Sequence, residues 1–193
     1  MWFRTSPSIE YFKLESTRRP VGIKMNAGEF FEFSIAHDRK YTLDHLWVQL
    51  LDDGKKKDEE EMTVKIGISE FIRAEFGDIV KVVLSKPEDD SEFQVEPSEE
   101  GNDDDAISSP LSRGDELGID DLMITVRTVE DRVLINAPFP CKIVELNGEV
   151  EDNPDLVNEE AYGDGWCMIV KPHEWDEDMH LDEEEYIEYL NEI

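Results

Sequence analysis

Apolar residues recur at every second position at Met62, Val64, Ile66 and Ile68. That is the period of a half-buried strand and predicts one over 62–68. Residues 47–51 predict its partner, with a turn at Asp52-Asp53-Gly54 and a charged hairpin tip over 55–61. Ser69 suits the N-cap of a short helix over 70–75, with Phe71, Ile72 and Phe76 as its apolar residues and Gly77-Asp78 as its stop. The β-branched run 79–84 predicts a further strand. Others are predicted over 122–126, 133–135 and 142–146, followed by turn chemistry at Asn147-Gly148. After the sharp turn Gly163-Asp164-Gly165, a nearly continuous apolar strand over 166–170 stops at Pro172. Leu181, Tyr186, Ile187 and Leu190 lie roughly on one face of a closing helix over 182–190. Many short strands separated by turn residues predict a β-sandwich or barrel with a helical tail.

Two stretches break this rhythm. Residues 1–40 read as an N-terminal extension, with a turn at Ser16-Thr17-Arg18-Arg19-Pro20 and an aromatic strand over 29–35 that includes Phe30, Phe31 and Phe33. Residues 88–113 are rich in acid, with Pro97, Gly101 and Pro110. They bury too little apolar surface to order themselves, so a loosely held or disordered loop is expected. Asp103-Asp104-Asp105 lacks the alternating ligands, glycine and terminal glutamate of a calcium-binding loop.

Charge narrows the function. The chain holds 49 acidic against 19 basic residues, a net charge of −30. Phosphates are repelled by such a surface, which argues against nucleic acid and anionic membranes and favours basic protein partners. Cys141 and Cys167 are too few for a disulfide framework. With no apolar leader and no apolar run near the ~20 residues of a membrane helix, a cytoplasmic protein is expected.

Chemistry-bearing residues are sparse. Cys167 falls in an apolar strand, where a buried thiol is expected. Cys141 follows Pro138-Phe139-Pro140 and is expected at an exposed turn. His173 and His180 frame a segment with four acids, but their spacing does not put both on one helix face, so a polar link is expected and no metal.

The ordered motifs resemble the H-protein family of the glycine cleavage system. Tyr41-Thr42-Leu43-Asp44-His45-Leu46-Trp47-Val48 is similar to the family's opening Tyr-Thr-x-x-His-Glu-Trp-Val, with Leu46 in place of Glu. Ile66-Gly67-Ile68-Ser69 and Phe76-Gly77-Asp78-Ile79-Val80 follow its next stretch, and Gly114-Asp115-Glu116-Leu117 its turn. The strongest likeness runs from Ile143 to Pro172, through Val144-Glu145-Leu146-Asn147, Asn153-Pro154-Asp155-Leu156-Val157-Asn158 and Tyr162-Gly163-Asp164-Gly165-Trp166. It covers residues 41–193, interrupted by the acidic insert and the longer hairpin near Lys55. The resemblance implies a mainly β, lipoyl-domain-like sandwich of two small sheets (a barrel-sandwich hybrid), with short peripheral helices and a C-terminal helix.

It also implies a cofactor site. In this family a lysine at a hairpin tip holds lipoic acid, which carries an aminomethyl group between enzymes. Counting back from Ala137-Pro138 without gaps puts that lysine position at Glu130; a three-residue insertion moves it to Arg127. Neither side chain accepts lipoate, and no lysine lies between Met123 and Cys141. Lys142 reads as an exposed strand-end charge, and Lys55, Lys56 and Lys57 belong to another hairpin. The family's Pro-x-Ser-Gly turn has become Pro138-Phe139-Pro140-Cys141, with Cys141 where a glycine tolerates positive φ.

The expectation is a non-enzymatic, non-lipoylated H-protein-like adaptor that binds protein partners, among them enzymes that recognise lipoyl carriers. One alternative is a glycine-cleavage carrier holding lipoate on a different lysine. Another is a component of some other complex, with Phe30, Phe31 and Phe33 as its interface.

Overall fold

The alternating residues pair as their period requires. In the computed structural model, which describes residues 18–24, 30–51, 62–85 and 110–193, β4 (Leu46–Leu50) and β5 (Val64–Ile68) form an antiparallel pair. β5 pairs in turn with β11 (Trp166–Pro172), and β11 with β10 (Cys141–Leu146). The short strands β3 (Lys40–Tyr41) and β7 (Glu116–Leu117) close the two edges, giving a six-stranded sheet in the order β3-β4-β5-β11-β10-β7. A second, three-stranded sheet, β6 (Ile79–Leu84), β8 (Leu122–Thr128) and β9 (Arg132–Asn136), has β8 in its centre. Leu46, Ile66, Ile143 and Met168 of the first sheet join Val82, Ile124, Val126 and Ile135 of the second in one apolar core.

A second, aromatic core draws on both ends of the chain. The strands β1 (Arg18–Lys24) and β2 (Phe30–Ala36) form a hairpin. It packs on α1 (Glu70–Phe76), with the Phe33 and Phe71 rings edge to face at 5.5 Å. Val21, Phe33 and Ile35 cluster with Tyr41, Trp47, Tyr162 and, from α4 (Glu183–Glu192), Tyr186 and Leu190. Arg18 and Arg19 therefore lie in a strand, not in the expected turn, and Pro20 is tolerated in this two-stranded ribbon because one side of each strand is unpaired. Phe33 is buried, so it is not available as an interface residue; the side chains of Phe30 and Phe31 lie outside the described residues.

The expected helices at 70–75 and 182–190 correspond to α1 and α4. Asp182 and Glu185 form a capping box that starts α4. Ser69 is the N-cap of α1, but its hydroxyl pairs with the Tyr186 hydroxyl at 3.0 Å instead of capping. Two short helices, α2 (Glu149–Asp152) and α3 (Asp155–Glu160), link β10 to β11. The tip expected over 55–61 lies outside the described residues, as does most of the insert. The insert's last residues are anchored: Pro110 bridges Ser85, and Leu111 is buried and donates to the Leu84 carbonyl at 3.0 Å.

Candidate functional site

β8 and β9 are paired down to Arg127 and Arg132, so only a tight turn remains between them. Thr128 builds that turn. Its N–H donates to the Asp131 carbonyl at 2.9 Å, while its Oγ1 accepts from the N–H groups of Glu130 and Asp131 at 3.3 and 2.9 Å. Hydroxyl-to-backbone bonding of this kind stabilises a turn in place of a continued ladder. Val129, Glu130 and Asp131 are the exposed residues of the tip.

The tip is tied to the linker before β6. The Val129 N–H donates to the Asp78 carbonyl at 3.0 Å. Gly77, at φ 84°, lies beneath it, where an added Cβ would come within 2.7 Å of Val129 Cγ2. Both the positive φ and the close approach favour glycine here. Asn158, buried on α3, clamps the start of β6: its Oδ1 accepts from the Ile79 N–H and its Nδ2 donates to the Ile79 carbonyl, both at 2.9 Å. Arg73 bridges the same region, donating to the Asn158 carbonyl at 2.9 Å and to Asp78 at 2.8 Å. Between these elements lies a depression of about 540 Å³, lined by Arg73, Asp78, Val80, Val129, Pro154 and Asn158 among others.

The two positions singled out in the sequence differ sharply. Glu130 is at the tip and exposed. Arg127 lies inside β8, half-buried, with Lys81 opposite it on one side and Arg132 on the other. Lys142 is on β10 in the other sheet, exposed, and ion-paired with Glu116 at 3.3 Å.

Cys141 departs from expectation. It lies in β10, fully buried between Leu117 and Pro172, and it is absent from the positive-φ positions. The preceding prolines end before the strand begins, so the thiol faces the core rather than solvent. Burial, with a smaller contribution from the Glu116 charge, pushes its pKa up to about 12. Burial does the same to Cys167. His180 is buried against Trp175 and Phe139, while His173 is exposed and bonded to Glu116 at 2.7 Å. Among the described residues no group of three or more His, Cys, Asp or Glu side chains has the arrangement to hold a metal ion. No helix among them is long and apolar enough to cross a membrane.

Sequence comparison decides the family. The glycine cleavage system H protein of Halalkalibacterium halodurans is 31% identical over 160 residues, spanning 82% of this chain and 98% of the relative. The chain belongs to the glycine cleavage H-protein family. The H protein of Anoxybacillus flavithermus is 30% identical over 159 residues, covering 82% of this chain and 98% of that one. The probable H protein of Pyrococcus horikoshii is 29% identical, covering 84% and 96%. The family model described as Glycine cleavage H-protein matches residues 106–193. In structure, the H protein of Mycobacterium marinum aligns with a TM-score of 0.56 at 24% identity, over 79% of this chain and 95% of that one. The mainly β sandwich expected from the sequence is thus the H-protein fold, and the family motifs map onto its joints. Asn158 clamps β6 as described. Asn147 donates to the carbonyls of Asp164 and Trp166 at 3.0 and 2.7 Å, fixing the entry to β11. Gly165 sits so close to Leu156 that a Cβ would meet its carbonyl oxygen at 2.5 Å.

Proposed function

We propose that this H-protein-family chain carries no lipoate at its hairpin and serves as a binding or adaptor protein for enzymes that recognise lipoyl carriers. The observation that carries this reading is the hairpin tip itself, where Glu130 is exposed between Val129 and Asp131 and no lysine lies between Met123 and Cys141. Joining lipoate as an amide requires an amine that loses its proton to attack. A carboxylate has none, and a guanidinium stays protonated. We equate Glu130 with the family's carrier position, since it occupies the turn while Arg127 belongs to a paired strand. The protein would perform no reaction of its own, because in a carrier the chemistry belongs to the attached cofactor. What remains for it is recognition, from a scaffold whose motif residues still hold the hairpin and its surroundings together.

The test is the intact mass of the protein isolated from its own organism, followed by peptide mapping. An unmodified mass supports the reading. A lipoyl-sized increment on any lysine sinks it and selects the second reading, a glycine-cleavage carrier with lipoate on another lysine. Family membership favours that alternative, and Lys142, exposed on β10, is the first residue to map.

A further inference from the structure

The three-stranded sheet turns an unusual face outward. Registers set Lys81 opposite Arg127, and Arg127 opposite Arg132, in one rung across all three strands. Two residues along, Val83, Thr125 and Leu134 form the next rung on the same face. The intervening rung of Val82, Val126 and Val133 packs into the core. Side chains alternate across a strand, so the two outer rungs point away from that core. Lys81 and Arg132 are exposed, Leu134 is 56% exposed, Arg127 and Val83 are half-buried, and Thr125 on the central strand is buried, so the accessible edge of the face is the outer strands. At the hairpin end Val80 and Val129 add exposures of 50% and 63%.

No acidic residue occupies either rung; the nearest acids in sequence, Asp78, Glu130 and Asp131, lie at the turns. In a chain of net charge −30, three of 19 basic side chains share one rung. Like charges directly opposite across strands are destabilising, so the fold carries a cost for this arrangement. Lys81 and Arg127 already have interaction partners; what marks the face is the register of three cations beside apolar residues, not an unpaired charge.

We propose that this face docks a protein partner presenting carboxylates flanked by apolar side chains. Charge complementarity sets the sign of the partner, opposite to the basic partner that the net charge alone suggests. Adjacent strands lie about 4.8 Å apart, so the rung spans roughly 10 Å. Carboxylates along one short acidic segment cover that span, while Val83 and Leu134 meet its apolar residues. Nucleic acid is disfavoured, because the remaining surface repels phosphate. The inference rests on the adaptor reading for the partner's role in the cell, but the face is tested apart from it.

The test is an NMR titration of the isotope-labelled full chain with a synthetic glutamate-rich peptide containing two leucines. The expected result is amide shifts concentrated on residues 81–83, 125–127 and 132–134, with binding that weakens steeply as salt rises. Lys81→Glu/Arg132→Glu should bind at least tenfold more weakly, while Lys142→Glu on the other sheet should leave binding unchanged. If the double charge reversal does not fold, Lys81→Gln/Arg132→Gln replaces it, with a smaller loss expected. Shifts spread over unrelated basic residues, or an affinity indifferent to either double variant, would overturn the proposal. So would binding that appears only after deletion of residues 88–109, since the chain's own acidic insert would then be the occupant. Lipoylation of the native protein alongside intact peptide binding would remove the adaptor reading and leave the docking face standing.

Discussion

His45 Nδ1 lies 3.0 Å from the hydroxyl of Tyr186, which in turn lies 3.0 Å from Ser69 Oγ. The histidine belongs to the opening family motif, the tyrosine to the last helix and the serine to the N-cap of α1. His45 sits at φ 61°, half-buried against the rings of Phe71 and Tyr186. Burial lowers its pKa from 6.5 to about 4. The unfolded chain therefore takes up the proton more readily than the folded one. Stability falls as pH drops from about 6.5 towards 4 and gains no further loss from this group below that. The loss is on the order of 3 kcal/mol. His45→Asn keeps a residue that tolerates the left-handed backbone and removes the titration. Urea unfolding at pH 7 and pH 4 should show a smaller acid loss in the variant; equal losses would remove His45 as the cause.

Both thiols should be inert in the folded protein. Cys141 and Cys167 are fully buried, and burial holds each thiol protonated, near 12. A chromogenic disulfide reagent at pH 8 should titrate neither until denaturant is added. Fast labelling of one cysteine in the native state would contradict the burial of its strand.

The carrier position can be restored. Glu130→Lys places an amine at the hairpin tip, and lipoate ligase supplied with ATP and lipoate should modify it. Arg127→Lys, inside a paired strand, should stay unmodified. Mass spectrometry of both variants reads the outcome, and modification of the Arg127 variant alone would move the assignment to that residue.

Gly67 has no room for a side chain. A Cβ there would stand 2.4 Å from Trp47 Cζ2, and Trp47 is held by its Nε1 donating to the Ala161 carbonyl at 2.9 Å. Gly67→Ala should therefore cost about 1–3 kcal/mol, the usual range for overpacking a core. Chemical denaturation followed by tryptophan fluorescence measures it. A loss under about 0.5 kcal/mol would mean that the indole shifts freely.

The long strands were readable because their apolar period reports which face is buried, as at Val64, Ile66 and Ile68. Of the first hairpin only the second strand was legible, because Arg18, Arg19 and Pro20 carry turn chemistry and the burial of Val21 comes from partners far along the chain, Tyr162 and Tyr186 among them. Helices α2 and α3 are too short for a 3.6-residue period to show, and Asn153-Pro154 between them reads as a break. Cys141 was misread because prolines dominate the local signal, whereas its burial is set by pairing with Leu117 and Pro172. At the hairpin, the sequence narrowed attention to Glu130 and Arg127, but only pairing separates a tip residue from a strand residue. The cation rung was invisible for the same reason. Lys81, Arg127 and Arg132 are scattered in sequence and meet only through register.

The aromatic core imposes an order on synthesis. Val21, Phe33 and Tyr41 leave the ribosome early, yet the Tyr41 ring stacks on Tyr186 at 4.4 Å and 4° from parallel. Until residues 186–190 emerge, the N-terminal hairpin has α1 to rest on but lacks the far wall of its core. A growing chain thus exposes a patch of aromatic side chains through most of its translation. The two-sheet core, whose last contributor is Trp175, is complete before the aromatic one. A stop codon placed just ahead of Tyr186 would release a chain with its sandwich assembled and its N-terminal hairpin left without a lid.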